Sequence, residues 1–567
     1  MHARWTGRRP GTMRRLRVAA VGVAAAALPL ALVMPGPAQA GTAASAGGGQ
    51  AGGQGGGHGL VVPTDRGWVR GQHAEGVSQW LGIPYAAPPV GALRWAAPRP
   101  APRWSGIRAA TSYGSRCSQL ASGNGPRVDS ENCLYLNVFA PPGRDHGRRG
   151  PGGRRGRGLP VLFMIHGGGL TSGAGDQHDG SLIASTDHII VVSINYRLGP
   201  LGFLDVPGLS GSALTAGGNY GLLDQEAALA WAHRNIAAFG GDPRRVTIVG
   251  ESAGAWSVCA LLTSPLIRGD FHGAIMESGS CPSLSQAQAQ TAGLAFAKAA
   301  GCPDASTAAA CLRALPEAKL LDASSSYQPE FAYGGPDLPV PVAQAVATGH
   351  YTRVPLLIGD NHDEGRTFAQ GFTGLTRAQY RQLIGQLYGA RAPAILARYK
   401  WTSYPHPYTA AYAIGDIWTD SGFITGIGGC PNQNLAAQFA STTRTFFYQF
   451  DDLHAPGLNR DHPGYQWGAG HAMELAYLWP SFNNGFSLYD LLTPRQLELS
   501  RQMIRYWGAF TTFGAPEVPG QPLWPAYSSR LLMSLRPGDR TATITAATYG
   551  AEHKCAFWNA SSSRPAG

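Results

Sequence analysis

Charged side chains are scarce: they make up 14% of a 567-residue chain in which 44% of residues are hydrophobic. That balance excludes a disordered protein, which is charge-rich and poor in apolar residues. None of the eight Cys lies in a CxxC pair, which argues against zinc-ribbon and thioredoxin chemistry. No His/Cys/Asp cluster has convincing ligand spacing, so neither a metal nor a cofactor is expected. No internal repeat is visible. Beyond residue 40 no stretch is long and apolar enough to span a membrane.

Acidic residues are missing altogether from residues 1–40, which carry six Arg. Another six Arg, with one Asp, crowd into 144–157 (RDHGRRGPGGRRGR). These two segments account for the whole formal net charge of +11. A nucleic-acid surface needs Lys and Arg spread over a folded face, so no nucleic-acid partner is expected. The Arg/Gly run reads as a solvated loop insertion.

What is present at the N-terminus has the pattern of an export signal. Arg4, Arg8, Arg9, Arg14, Arg15 and Arg17 form a positive region, and Val18 to Val33 an apolar one. Ala38-Gln39-Ala40 supplies small residues for cleavage after Ala40. The expectation is a secreted protein, by either the general or the twin-arginine route. Residues 41–59 are Gly-rich and read as a flexible linker. The folded unit is then 60–567, expected as one domain with extensive loops, given 77 Gly and 42 Pro. Outside the cytosol the eight Cys are expected to form disulfides.

Short apolar runs mark buried strands at Leu159–Ile165, Ile189–Ile194, Val246–Val249, Gly273–Met276 and Val354–Ile358. Parallel strands covered on both faces give such runs. Helical patterns lie between and after them, at Tyr220–Phe239, Ala253–Leu262 and Arg495–Phe513. The alternation predicts an α/β fold, a large, mostly parallel central sheet with helices on both faces.

Gly250-Glu251-Ser252-Ala253-Gly254 is a GxSxG pentapeptide between a strand and a helix. Glycines permit a strained turn that pushes the Ser out of the sheet edge, and the helix N-terminus favours developing negative charge. Ser252 is the candidate nucleophile. His166-Gly167-Gly168-Gly169 follows another buried strand and matches a pattern that presents backbone N–H groups to an oxyanion. A serine nucleophile needs a base and an orienting acid, expected in the order Ser, acid, His. With 16 His in the chain, the residues alone do not choose among His272, His350, His362, His454, His462 and His471.

Longer blocks do. Trp80-Leu81-Gly82-Ile83-Pro84-Tyr85-Ala86, Ser130-Glu131-Asn132-Cys133-Leu134-Tyr135-Leu136-Asn137, Asn195-Tyr196-Arg197, Gly221-Leu222-Leu223-Asp224-Gln225 and Phe239-Gly240-Gly241-Asp242-Pro243 occur in order. In these the chain resembles the type-B carboxylesterases, the family of the cholinesterases and bile-salt-stimulated lipase, from about Val61 to Trp558. The resemblance implies an α/β-hydrolase fold with helical insertions. It also implies hydrolysis of small or lipid-like carboxylic esters through an acyl-enzyme. It assigns the acid to Glu364, in Asp360-Asn361-His362-Asp363-Glu364-Gly365, with Asp363 as the alternative. It assigns the base to His471, in Gly470-His471-Ala472-Met473-Glu474. Gly168, Gly169 and Ala253 become the oxyanion donors. Arg94–Glu131 and Arg197–Asp224 are implied as buried ion pairs, and Glu251 and Glu474 as carboxylates near the site. Implied disulfides are Cys117–Cys133, Cys302–Cys311 and Cys430–Cys555. Cys259 and Cys281 are left over, either paired or separate thiols.

Three alternatives stay open under the resemblance: a lipase, a polymer esterase, and a silent adhesion domain, against which the intact Ser252, Glu364 and His471 argue. The natural ester and the oligomeric state are not readable. Cholinesterases carry a choline-stacking Trp in the first disulfide loop, but residues 118–132 here hold no aromatic side chain. Cation–π recognition of a quaternary ammonium therefore lacks its main partner. Asn132 replaces the family's Asp, and Cys281-Pro282-Ser283 stands where cholinesterases have an acyl-pocket Trp.

Overall fold

The buried apolar runs become strands of one eleven-stranded sheet among the residues described by a computed structural model: 60–142, 158–209, 213–483 and 485–562. The leader of 1–40, the Gly-rich 41–59 and the Arg/Gly run of 144–157 lie outside those residues. In chain order the strands are β1 (Gln72–Ala74), β2 (Val77–Pro84), β3 (Tyr135–Ala140), β4 (Leu159–Ile165), β5 (Ile190–Ile194), β6 (Gly241–Glu251), β7 (Gly273–Glu277), β8 (Leu356–Asn361), β9 (Thr445–Phe450), β10 (Leu531–Leu535) and β11 (Ala542–Thr545). Across the sheet the order is β11-β10-β9-β8-β7-β6-β4-β5-β3-β2-β1. The strands from β10 to β5 pair in parallel. The flanking β11, β3, β2 and β1 pair antiparallel.

Both faces of the parallel strands are dry. In β4, Val161, Phe163 and Ile165 enter one core cluster, while Leu162 and Met164 enter another on the opposite face. This is the two-residue period of a strand, filled with apolar side chains on both sides. The helices Tyr220–Asn235 and Ala253–Thr263 cover the first face with Leu222, Leu229, Trp231, Val258 and Leu262. The helix Pro494–Phe513 covers the second with Leu499, Met503, Trp507 and Phe510. That helix begins at a capping box of Thr493 and Gln496 with Pro494 in its first turn, and it ends at Gly514 in the left-handed conformation.

Strand β4 lies between β6 and β5: the chain steps from β4 outward to β5 and then returns past β4 to β6 on its other side, so the direction of winding reverses there. A crevice opens beyond the carboxyl ends of the strands at such a reversal. His166 follows β4 and Ser252 follows β6, which puts both motifs at that point.

Four disulfides staple the loops: Cys117–Cys133, Cys259–Cys281, Cys302–Cys311 and Cys430–Cys555. The second joins the helix behind Ser252 to the segment just past β7. Arg94 Nε meets Glu131 Oε2 at 2.7 Å, and Arg197 Nε meets Asp224 Oδ2 at 2.7 Å.

Candidate active site

Ser252 stands between the end of β6 and its helix with φ 55° and ψ −122°. A non-glycine residue rarely adopts positive φ, so the surroundings must hold it there. They do so by leaving no room for side chains on either side. A Cβ on Gly250 would lie 2.3 Å from the Gly254 carbonyl carbon, and one on Gly254 would lie 2.2 Å from the Ile165 oxygen. The two glycines of the pentapeptide let the turn fold back on itself and let the helix press against the end of β4. The Ser252 N–H donates to the Glu277 carbonyl at 2.9 Å, which ties the turn to β7.

The turn after β4 comes equally close. A Cβ on Gly167 would meet the Glu251 carbonyl at 2.6 Å and the Ser252 Cβ at 3.2 Å. Gly168 and Gly169 follow at φ 99° and 64°. Their N–H groups donate to no protein acceptor among the described residues. The first-turn N–H of Ala253 has no intrahelical partner to find.

The structure brings Ser252, His471 and Glu364 into one chain of hydrogen bonds. His471 Nε2 lies 2.9 Å from Ser252 Oγ, and His471 Nδ1 lies 2.6 Å from Glu364 Oε2. With the proton on Nδ1, the ring donates to Glu364 and leaves Nε2 to accept from the hydroxyl. The Asn361 N–H donates to Glu364 Oε1 at 2.8 Å. All three side chains are buried. Phe368 packs its ring 4.9 Å from that of His471.

Asp363, the alternative acid, points elsewhere. It meets Arg366 at 3.0 Å and His362 at 3.2 Å, and it accepts the Ala469 N–H at 3.1 Å. Burial alone would raise its pKa, but Arg366 and His362 outweigh burial and hold it at about 2. The other histidines considered for the base lie outside this hydrogen-bonded chain.

Three further carboxylates crowd the floor of the site. Glu251 Oε1 lies 3.3 Å from His471 Nε2 with no hydrogen bond of its own. Glu474 accepts from the Asn361 amide and from Ser278 Oγ at 3.4 Å. Glu277 accepts the indole N–H of Trp507, and its other oxygen has no partner. Burial raises the pKa of each: Glu277 to about 8, Glu474 to about 7, and Glu251 well above the usual carboxylate range. Burial works the other way on His471, yet Glu251 first and Glu364 second overcome it and raise the ring to about 9. Glu251 and His471 therefore bias each other's protonation, His471 favouring the charged carboxylate and Glu251 the charged ring.

Sequence reasoning did not single out Asn361, Glu277 or Trp507. A signal existed for Glu277: an acid terminates an otherwise apolar strand, where its burial demands a partner. Among the described residues no cluster of His, Cys, Asp and Glu has the arrangement to hold a metal ion.

A neutral imidazole held by a carboxylate and facing a serine hydroxyl at a strained turn can take that proton and create a nucleophile. The model of the Carboxylesterase family matches residues 58–558. The chain belongs to the carboxylesterase family. It is 34% identical over 479 residues to acylcarnitine hydrolase of Mus musculus, covering 79% of this chain and 81% of that one. It is 32% identical over 522 residues to human (Homo sapiens) cocaine esterase, covering 86% and 88%. The solved structure of a thermophilic PNB esterase superposes with a TM-score of 0.70 at 30% identity, covering 88% of this carboxylesterase and all of that chain. The protein is an α/β-hydrolase that cleaves carboxylic esters.

Proposed function

We propose that Ser252, His471 and Glu364 form the catalytic triad of an esterase that works through an acyl-enzyme. The observation that carries this reading is the unbroken chain from Ser252 Oγ through the His471 ring to Glu364, seated at a turn that holds Ser252 at φ 55°.

Ser252 Oγ attacks the ester carbonyl carbon as its proton passes to His471 Nε2. Glu364 holds Nδ1–H and balances the charge of the imidazolium. The N–H groups of Gly168, Gly169 and Ala253 receive the oxyanion. Collapse breaks the bond to the alcohol oxygen, and His471 returns the proton to that leaving group. Water then adds to the acyl-serine, with His471 again as the base, and the acid departs. Each oxyanion donor contributes roughly 10²–10³ in rate. The substrates are small or lipid-like esters of carboxylic acids.

The same reading includes export with cleavage after Ala40. Its support is the charge and apolar pattern of residues 1–40, together with four disulfides, which persist outside the cytosol.

Ser252→Ala tests the nucleophile. The variant should lose about 10⁶ in kcat and all labelling by an organophosphate probe, with an unchanged far-UV spectrum. Retention of a tenth of the activity would assign the nucleophile to another residue.

A further inference from the structure

The first disulfide loop has no aromatic residue, yet it makes close contact with the site. Cys117–Cys133 closes a small hairpin, with bridges at Gln119–Val128 and Ser122–Gly125. Its flank and its tip both grip the turn that follows β4. On the flank, the Gln119 amide donates to the Gly173 carbonyl at 3.1 Å and accepts the Gly173 N–H at 3.0 Å. At the tip, Asn124 Nδ2 donates to Ser172 Oγ at 2.9 Å. Ser172 Oγ in turn donates to the Gly168 carbonyl at 3.3 Å. The tip is itself held, because Arg116 donates to the Asn124 carbonyl at 2.7 Å and pairs with Asp176 at 2.8 Å.

The Gly168 carbonyl is the back of a peptide whose front is the Gly169 N–H. A trans peptide is planar, with its carbonyl and N–H on opposite sides. Whatever fixes the direction of the Gly168 oxygen therefore fixes the direction of the Gly169 hydrogen. Gly169, at φ 64°, has no side chain to do this from the front, and a Cβ added there would find only Thr171 Oγ1, at 3.7 Å. The Gly168 oxygen also receives the N–H groups of Thr171 and Ser172 and the Thr171 hydroxyl, each at 3.1 Å. Those donors belong to the turn itself and move with it. Among the described residues, the Asn124–Ser172 link alone runs from this carbonyl to a separate element.

We propose that Asn124, at the tip of the disulfide-closed hairpin, is a positioning residue for the reaction: through Ser172 it orients the Gly168 carbonyl and so aims the Gly169 N–H at the oxyanion. This rests on the oxyanion assignment proposed above. Positioning of this kind matters for rate because a misplaced donor still binds the ground-state carbonyl but stabilises the transition state less well. A misplacement on the order of 1 Å can cost about 10²-fold, so loss of one brace among several is expected to cost about tenfold.

The test compares an ester with its thionoester, in which the longer C=S bond and weakly accepting sulfur gain little from N–H donors placed for oxygen. The wild type should hydrolyse the ester far faster. In Asn124→Ala, kcat on the ester should fall about tenfold with KM within twofold, while the thionoester rate stays nearly level, so discrimination shrinks about tenfold. Ser172→Ala should do the same, Ser172→Thr should restore the ester rate, and the Asn124→Ala/Ser172→Ala double variant should lose no more than either single one. Should Asn124→Ala fail to fold, the Ser172 pair carries the test. Equal losses on both substrates, or no loss on either, would overturn the proposal and leave the oxyanion assignment standing. A wild type that treats the two substrates alike would overturn that assignment, and the proposal with it.

Discussion

Replacing Glu251 by Gln removes, wherever the carboxyl is ionised, one negative charge 3.3 Å from His471 Nε2 while keeping the shape of the side chain. The consequence is a displaced pH profile. At this separation two unit charges interact by about 1 kcal/mol with the screening of bulk water and by about 5 kcal/mol at an effective dielectric near 20. One pKa unit corresponds to about 1.4 kcal/mol. Loss of the Glu251 charge should therefore lower the His471 pKa by at least about one unit, from its value of about 9. The sign follows from the chemistry. The imidazole acts as a base only when neutral, so kcat/KM falls as the pH drops below the ring pKa. A lower pKa keeps the ring neutral further into acid. The assay is kcat/KM for an uncharged chromogenic ester across the pH range, which reports groups of the free enzyme. The midpoint of the acid limb is the readout, not the height of the plateau, because the introduced amide can also alter transition-state stabilisation. An acid limb that overlays the wild type, or moves to higher pH, would refute the reasoning: Glu251 would then hold its own proton and exert no field on the ring.

Glu277 gives a stability counterpart. Its carboxyl keeps a proton up to about 8 in the fold, against an ordinary value of 4.5, so the fold binds the extra proton between these values and loses stability as the pH rises through them. Glu277→Gln, which mimics the protonated acid beside Trp507, should show a smaller fall in Tm between pH 5 and pH 9 than the wild type; an identical fall would mean that Glu277 ionises freely. Choline esters should be poorer substrates than uncharged esters of the same acid by about tenfold or more, since each aromatic face offered to a quaternary ammonium is worth roughly 0.5–2 kcal/mol and the first disulfide loop has none. Butyrylcholine against 3,3-dimethylbutyl butyrate isolates the cation, and a strong preference for the choline ester would reveal an aromatic cage elsewhere.

The parallel centre of the sheet was legible because burial on both faces writes itself as a continuous apolar run. Leu159–Ile165 and Gly273–Met276 carry that signature, and both are strands. Two strands with a buried amide side chain inside escaped it. In β3, Tyr135–Ala140, Asn137 interrupts the run, yet it is buried with its amide donating to Ser193 Oγ at 3.2 Å and accepting the Gly82 N–H at 3.0 Å. In β9, Thr445–Phe450, Gln449 plays the same part through His553 at 2.7 Å. A buried amide whose partners come from other strands or the far end of the chain looks, in sequence, like an exposed one. Strand β6 was read as four residues because Asp242, Pro243, Arg244 and Arg245 precede them, but the observed strand runs from Gly241 to Glu251.

The candidate site divides along the same line. Ser252 and the glycine turn are local signals: their chemistry needs glycines at fixed offsets, and close packing at Gly167, Gly250 and Gly254 is the reason. The acid and the base are not local. Glu364 and His471 are 107 residues apart and meet only because β8 ends beside the loop that carries His471. Nothing in the residues around His471 distinguishes it from the other histidines of the chain, so its assignment came from the resemblance and not from physics. The buried carboxylates Glu251, Glu474 and Glu277 are a third case. The resemblance pointed to Glu251 and Glu474, the acid at the end of an apolar strand was the one signal for Glu277, and no local pattern marks Glu251 or Glu474 as a neighbour of the imidazole. Burying Glu251, Glu277 and Glu474 close to one another carries a desolvation cost that polar contacts from Asn361, Trp507 and His471 only partly offset. A fold selected for stability alone would gain by replacing them with apolar residues. Glu251 and Glu474 act on the ring that, in the proposed mechanism, gains and loses a proton twice per turnover, which argues that the electrostatics of His471, rather than packing, is what those two serve.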